Sequence, residues 1–266
     1  MENSGLGDAE IQHAVSLAQQ VAKEAGAYLM SRRGAAQVAY RKAPLDDVLD
    51  ADLESERIIL QRLRSDFPSF ALLSEESGAS GGNSPFRWIV DPLDGSVNFQ
   101  RGGSVFAVSL ALLAGTTALI GVTYLPVENE LFTAIRGGGA TRNGSAISVS
   151  QISSLAEAVI HIGELERTGP ETVSVEQLGE MTRVAHRARR IRVLGSSAHD
   201  LAFVASGRAE ALIMHGGEPW DVAAGELMTR EAGGTVSRIQ YVNGMTLTIF
   251  SNERLHPLLL DLLRAH

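Results

Sequence analysis

The chain has no cysteine in its 266 residues. That excludes a disulfide framework and any thiolate metal site, and it is compatible with a reducing compartment. Long apolar runs are missing too: no stretch reaches the roughly 18 residues that a membrane-crossing helix needs. The opening segment MENSGLGDAEIQHAV has neither the basic nor the apolar part of a secretory signal. These absences predict a cytoplasmic protein that contacts no membrane. Positive charge is also in short supply. A formal net charge of −8 argues against general nucleic-acid binding, which depends on clustered Lys and Arg. The one basic stretch, residues 183–192, holds Arg187, Arg189 and Arg190 close together and reads as a solvated helix end or an interface edge.

An apolar fraction of 44% is enough to bury one large core or two closely joined lobes. Ile11, Val15, Ala18, Ala22, Ala25 and Leu29 recur at helical spacing, which predicts a helix over 9–32. A second helix is expected from Asp50, with acids in its first turn where the helix dipole favours them, to just before Pro68. The pattern then changes to strands at 70–74, 87–90, 105–113, 118–125, 131–135 and 158–162. Beyond residue 150 the expected order is helix 174–187, strand 191–194, helix 198–206, strand 209–214, helix 221–232, strands 234–238 and 246–250, and helix 253–265. The class is therefore mixed: an α+β lobe over 1–150 and an α/β lobe over 151–266, forming one compact catalytic unit.

Acidic residues stand where they would repel each other. The segment WIVDPLDGSVNF (88–99) ends an apolar strand in Asp91 and Asp94, on a turn stiffened by Pro92 and allowed by Gly95. Ser96 follows, with backbone amides able to face an anion. Glu75-Glu76 also closes a strand, and WDVAAG (220–225) puts Asp221 at a helix start. Taken singly, an Asp-Gly pair is a turn and a Glu-Glu pair a solvated face. Brought together, two carboxylates about 4 Å apart repel by roughly 4 kcal/mol at an effective dielectric near 20. Such a cluster takes up protons or binds cations, and oxygen-only donors suit Mg²⁺, Mn²⁺ or Ca²⁺.

Together SEES (74–77), WIVDPLDGSVNF and WDVAAG resemble the inositol monophosphatase family of metal-dependent, often lithium-sensitive phosphomonoesterases. The segment 46–56 and EAGG (231–234) support the match, which spans nearly the whole chain in order. The resemblance implies a layered α-β-α-β-α fold, two to three Mg²⁺ ions with Mn²⁺ as a substitute, a small phosphorylated metabolite as substrate, and a homodimer. It implies that Glu75, Asp91 and the Leu93 carbonyl hold a first metal and that Asp91, Asp94 and Asp221 hold a second, with a weaker third ion near Glu75. Gly95 and Ser96 would offer N–H groups to the phosphate. The Ser96 hydroxyl and Glu75 would orient the attacking water, with Asp52 pairing with that hydroxyl. Asp94, Gly95, Ser96, Ser197, Met214 and Asp221 are the substrate-side candidates.

Four positions depart from the family pattern. Ser96 and Leu49 stand where Thr is common, Arg41 where some members have Lys, and Met214 where inositol-specific members carry a Glu. A thioether is a weak acceptor, so Met214 loosens the expectation of a polyol substrate. Glu218 or His215 could take over its role, and His199 is expected to pack a helix. Inositol, histidinol and sugar phosphates remain candidate substrates. The alternatives are a 3′(2′),5′-bisphosphate nucleotidase and a non-catalytic interaction protein on the same fold.

Overall fold

A computed structural model describes residues 5–43, 46–165, 174–241 and 244–264. The chain opens with α1 (Asp8–Arg32), the strands β1 (Val38–Ala43) and β2 (Asp46–Leu49), and α2 (Asp50–Asp66). Next come β3 (Ala71–Ser74), β4 (Gly78–Ser80), β5 (Phe86–Asp94) and the short α3 (Ser96–Gln100). The strands β6 (Ala107–Ala114), β7 (Thr117–Leu125), β8 (Glu130–Ile135), β9 (Gly139–Arg142) and β10 (Ser145–Ala146) follow. The second half runs β11 (Val159–Ile162), α4 (Val175–Arg187), β12 (Arg190–Arg192), α5 (Ser197–Ala205), β13 (Ala211–His215) and α6 (Pro219–Glu231). It closes with β14 (Gly234–Gln240), β15 (Thr246–Asn252) and α7 (His256–Arg264).

The strands build an eight-stranded sheet, β10-β9-β8-β7-β6-β5-β3-β4, a five-stranded sheet, β12-β11-β13-β15-β14, and the β1–β2 ribbon. Helix α1 lays Ala14, Ala18, Val21, Ala25 and Leu29, all fully buried, against the larger sheet beside α2. Helices α5 and α6 fill the space between the sheets, through Ala198, Ala202 and Leu227 on one side and Leu201 and Val204 on the other. Helices α4 and α7 cover the far face of the smaller sheet. The result is the layered α-β-α-β-α sandwich that the resemblance implied. No helix among the described residues is long and apolar enough to cross a membrane.

Most expected elements are present, and the differences have local causes. Helix α6 starts at Pro219 rather than 221, because proline suits a first helical position. Helix α7 starts at His256 rather than 253, because the Asn252 side chain accepts from the Leu255 N–H and holds a turn first. The expected end at 265 lies outside the described residues. Strands β1 and β2 had no periodic signal: every residue of β1 is exposed, so no alternation marks it. The basic stretch is exposed at Arg187, Arg189, Arg190 and Arg192, on the end of α4 and the edge strand β12.

The middle layer depends on close approach. A Cβ on Gly121 of β7 would lie 2.7 Å from the Ala224 carbonyl oxygen of α6, so helix and sheet touch backbone to backbone. Gly121→Ala is expected to destabilise the fold by about 1–3 kcal/mol through overpacking. Urea denaturation checks this; an unchanged midpoint would show that α6 can lift off the sheet without cost.

Candidate active site

The site begins with an irregularity in β5. Asp91 pairs with Ser109 and Asp94 with Ala107 on β6. Three steps on one strand against two on the other mean one extra residue, a β-bulge. In a regular strand, residues three apart face opposite sides; the extra residue restores the phase and turns both acids to one side. Pro92 sits inside this bulge, where a missing N–H breaks no ladder, and its carbonyl accepts from the Ser55 hydroxyl of α2 at 2.7 Å. The acids were expected on a turn beyond the strand. The strand instead runs through Asp94, and the chain reverses at Gly95, whose φ is +89°. A Cβ there would lie 2.8 Å from the Val105 carbonyl, so only glycine fits.

Glu75 arrives by strand pairing. Strand β3 runs parallel to β5 with Ser74 opposite Val90, and the Glu75 N–H donates to the Val90 carbonyl at 3.1 Å. Parallel strands end at the same side of a sheet, so Glu75 and Asp91 become neighbours. Asp221 comes from the other half, in the first turn of α6, where its carboxylate accepts from the Glu218 N–H at 2.7 Å. Asp52 uses the same device in α2, accepting from the Leu49 N–H at 2.7 Å. Asp91, Asp94 and Asp221 each bring a carboxylate oxygen within 4.8 Å of the others. Leu93, between the two bulge acids, is almost fully buried, and its N–H donates to Asp91 at 3.0 Å.

Burial is the largest influence on every one of these acids. It raises Asp52 to about 7, Asp94 to about 7, Asp221 to about 6 and Glu75 to about 8. Asp91 is raised well above the ordinary range, with the neighbouring Glu75 and Asp94 charges adding to burial. The N–H bonds from Leu49 to Asp52, Leu93 to Asp91 and Glu218 to Asp221 pull the other way without prevailing. An all-oxygen set of buried carboxylates that cannot easily ionise together fits a hard divalent cation.

Asp94 is held across the two halves. It accepts from the Ser196 hydroxyl at 2.5 Å, the Ala198 N–H at 2.7 Å and the Ser197 N–H at 3.3 Å, all at the start of α5. The Asn98 amide keeps that segment in place by donating to the carbonyls of Leu194 (2.7 Å), Val105 (2.9 Å) and Gly195 (3.2 Å). Above these groups opens a cleft of about 500 Å³. The six substrate-side candidates, Asp94, Gly95, Ser96, Ser197, Met214 and Asp221, all line it.

The substitutes considered for Met214 fare differently. His215 lines the cleft, but its Nε2 is taken by Glu180, while Glu218 is exposed at the start of α6. Met214 itself is 5% exposed and packs with Leu212 and Phe250. His199 is buried with its ring 4.5 Å from that of Phe203, so it packs the helix as expected. Sequence reasoning missed Glu164 and Asp200 in the cleft wall, and the roles of Ser196 as a tie to Asp94 and of Asn98 as a tie to the segment before α5. It also weighed Arg41 when the neighbouring residue matters more. Arg41 pairs with Asp47 across the ribbon at 2.5 and 3.2 Å, whereas Lys42 reaches the acids. Only strand alternation could have separated Arg41 from Lys42, and the exposed ribbon hides it.

The model of the inositol monophosphatase family matches residues 10–265. The chain belongs to this family. An inositol-1-monophosphatase of Mesorhizobium japonicum is 43% identical over 199 residues, 74% of this chain and 73% of that protein. The Nus factor SuhB of Escherichia coli K12 is 37% identical over 201 residues, 75% of this chain and 74% of that protein. Among solved structures, the extragenic suppressor protein SuhB of Bartonella henselae superposes with a TM-score of 0.87 at 37% identity, covering 95% of this chain and 99% of that one. The relatives share the overall fold, under names that point both to phosphatases and to a Nus factor.

The raised carboxylates set a pH dependence. Their ordinary values are 3.8 for Asp and 4.5 for Glu, and burial in the fold raises Asp52, Glu75, Asp94 and Asp221 to between about 6 and 8. Over that interval the folded chain binds more protons than the unfolded one, so stability falls as pH rises. Their contribution is full below about pH 4 and is lost by about pH 8. Thermal melting in EDTA is expected to give a lower Tm at pH 8 than at pH 5, with Mg²⁺ raising Tm more at pH 8. A Tm that rises with pH in EDTA would contradict this electrostatic picture.

Proposed function

We propose that the chain is a Mg²⁺-dependent phosphomonoesterase acting on a small soluble phosphorylated metabolite. The observation that carries this is the convergence of Asp91, Asp94 and Asp221, with Glu75 alongside, beneath a cleft large enough for such a substrate. In this reading Glu75, Asp91 and the Leu93 carbonyl hold one ion, and Asp91, Asp94 and Asp221 hold another. Bound there, Mg²⁺ would neutralise charge on the phosphoryl oxygens and acidify the attacking water. The chain supplies the positioning. The N–H groups of Gly95 and Ser96 face the phosphate, the Ser96 hydroxyl with Glu75 orients the water, and Asp52 orients that hydroxyl. Phosphoryl transfer needs little more than this, because its cost lies in placement and charge.

The leaving alcohol faces Ser197, Met214 and Glu164. Among the described residues lining the cleft none is Lys or Arg, which favours a monophosphate over a 3′(2′),5′-bisphosphate. The family relationship supports inositol, histidinol or sugar phosphates as the class. The relatives named Nus factor SuhB support a second reading, a protein whose main work is interaction with a partner. Against it stands the full acid set, which an interaction role has no need to keep.

The deciding experiment is phosphate release from a panel of inositol, histidinol, sugar and nucleotide phosphates, with Mg²⁺ or with EDTA. Chelator-sensitive release from a monophosphate is expected. Asp91→Asn should lower turnover at least on the order of 10²-fold while leaving the circular dichroism spectrum unchanged. Near-normal turnover in that variant would remove Asp91 from the metal site, and no release from any compound would favour the interaction reading.

A further inference from the structure

A second group of acids, Glu76 and Asp52, acts on Glu75, and it has its own cation. Lys42, on β1, places its ammonium 2.8 Å from Glu76 Oε2 and 3.9 Å from Glu75 Oε1, and donates to the Glu75 carbonyl at 3.5 Å. Glu76 is nearly buried, with 3% of its side chain exposed, against 26% for Lys42. The Glu76 charge acts on Glu75 and Asp52 to raise them, and the Lys42 charge acts on both to lower them. One ammonium therefore serves three carboxylates: Asp52, Glu75 and Glu76.

We propose that Lys42 is a built-in counter-cation that occupies the Glu75–Glu76 edge of the site in place of a third metal ion, so that metal loads only at the two positions that share Asp91. The inference rests on the metal-dependent reading above and goes beyond it by fixing how many ions the chain takes. The physical case has two parts. An ammonium is a compact, strongly hydrated charge on a flexible stem, well suited to neutralise carboxylates that face different ways. It is also tethered, so it is present at a high effective concentration and pays no translational entropy on arrival. A weakly held divalent ion would have to displace it from Glu76. The family resemblance implies a weaker third ion near Glu75; Lys42 stands at that edge.

The test counts ions in the absence of substrate. Mn²⁺ binding is measured by calorimetry and by the electron paramagnetic resonance signal of free Mn²⁺, for the wild type, Lys42→Ala, Lys42→Arg and Asp91→Asn. The wild type is expected to saturate at two ions, Lys42→Arg at two, and Lys42→Ala at three, the added ion being the weakest. Lys42 lies on an exposed ribbon strand, and melting curves verify that each variant is folded. Three ions in the wild type would overturn the proposal. So would the same count and affinities in Lys42→Ala as in the wild type. Asp91→Asn separates the two ideas. If it loses Mn²⁺ while Lys42→Ala gains none, the metal-dependent reading stands and the counter-cation does not. If no chain binds Mn²⁺, both fall.

Discussion

Mutual repulsion among buried carboxylates is the constraint around which this protein is arranged. Four of the acids at the site receive a backbone N–H: Asp52 from Leu49, Asp91 from Leu93, Asp94 from Ala198 and Asp221 from Glu218. Three of those donors lie at the starts of helices α2, α5 and α6, where the helix dipole adds to the hydrogen bond. These fixed donors hold each carboxylate in position but do not neutralise it. Burial still raises every one of these acids. The protein thus fixes the geometry and leaves the charge to cations, whether brought from solution or carried on its own ribbon.

The layers follow from the same requirement. The larger sheet delivers Glu75, Asp91 and Asp94 at one end of two parallel strands, and it cannot reach the opposite side of the pocket. Asp221 and the start of α5 come from the middle helical layer, which has to pack closely on that sheet. Gly121 allows this, and Asn98 ties the segment before α5 to the loop after α3. The Asp94–Val97 side of the cleft is built by the first half, and the opposite wall is built largely by residues that follow β11 and β13 and those that open α5. Specificity can therefore change in Glu164, Ser197 or Met214 without disturbing the acids, as expected when function lies in a site and not in the fold.

Much of this was legible in the residue order, because its causes are local. The stripe of Ala14, Ala18, Ala25 and Leu29 defines α1, and the apolar run to Val90 followed by acids marks the end of β5. The acid clusters, together with the absence of cysteine, point to a hard-metal site before any coordinates are known. The motifs around Asp91, Asp94 and Asp221 are specific enough to indicate the family. What they could not show is that Asp91 and Asp94 face the same way. In a regular strand they would not, and the extra residue is visible only when β5 is laid against β6.

The tertiary structure alone decided who stands next to whom. Ser196 is 102 positions from Asp94 and Asn98 is 96 from Leu194, separations at which no periodicity carries information. The choice of Lys42 over Arg41 as the cation facing the acids depends on the pairing of two exposed strands that lack any apolar alternation. Sequence by itself thus determined the chemistry of the donors, the helices and strands that carry them, and the family. The convergence of those donors, their raised proton affinity and the ammonium set against Glu76 arise from packing between distant segments. Burial and charge coupling are properties of that packing and of no single stretch of chain.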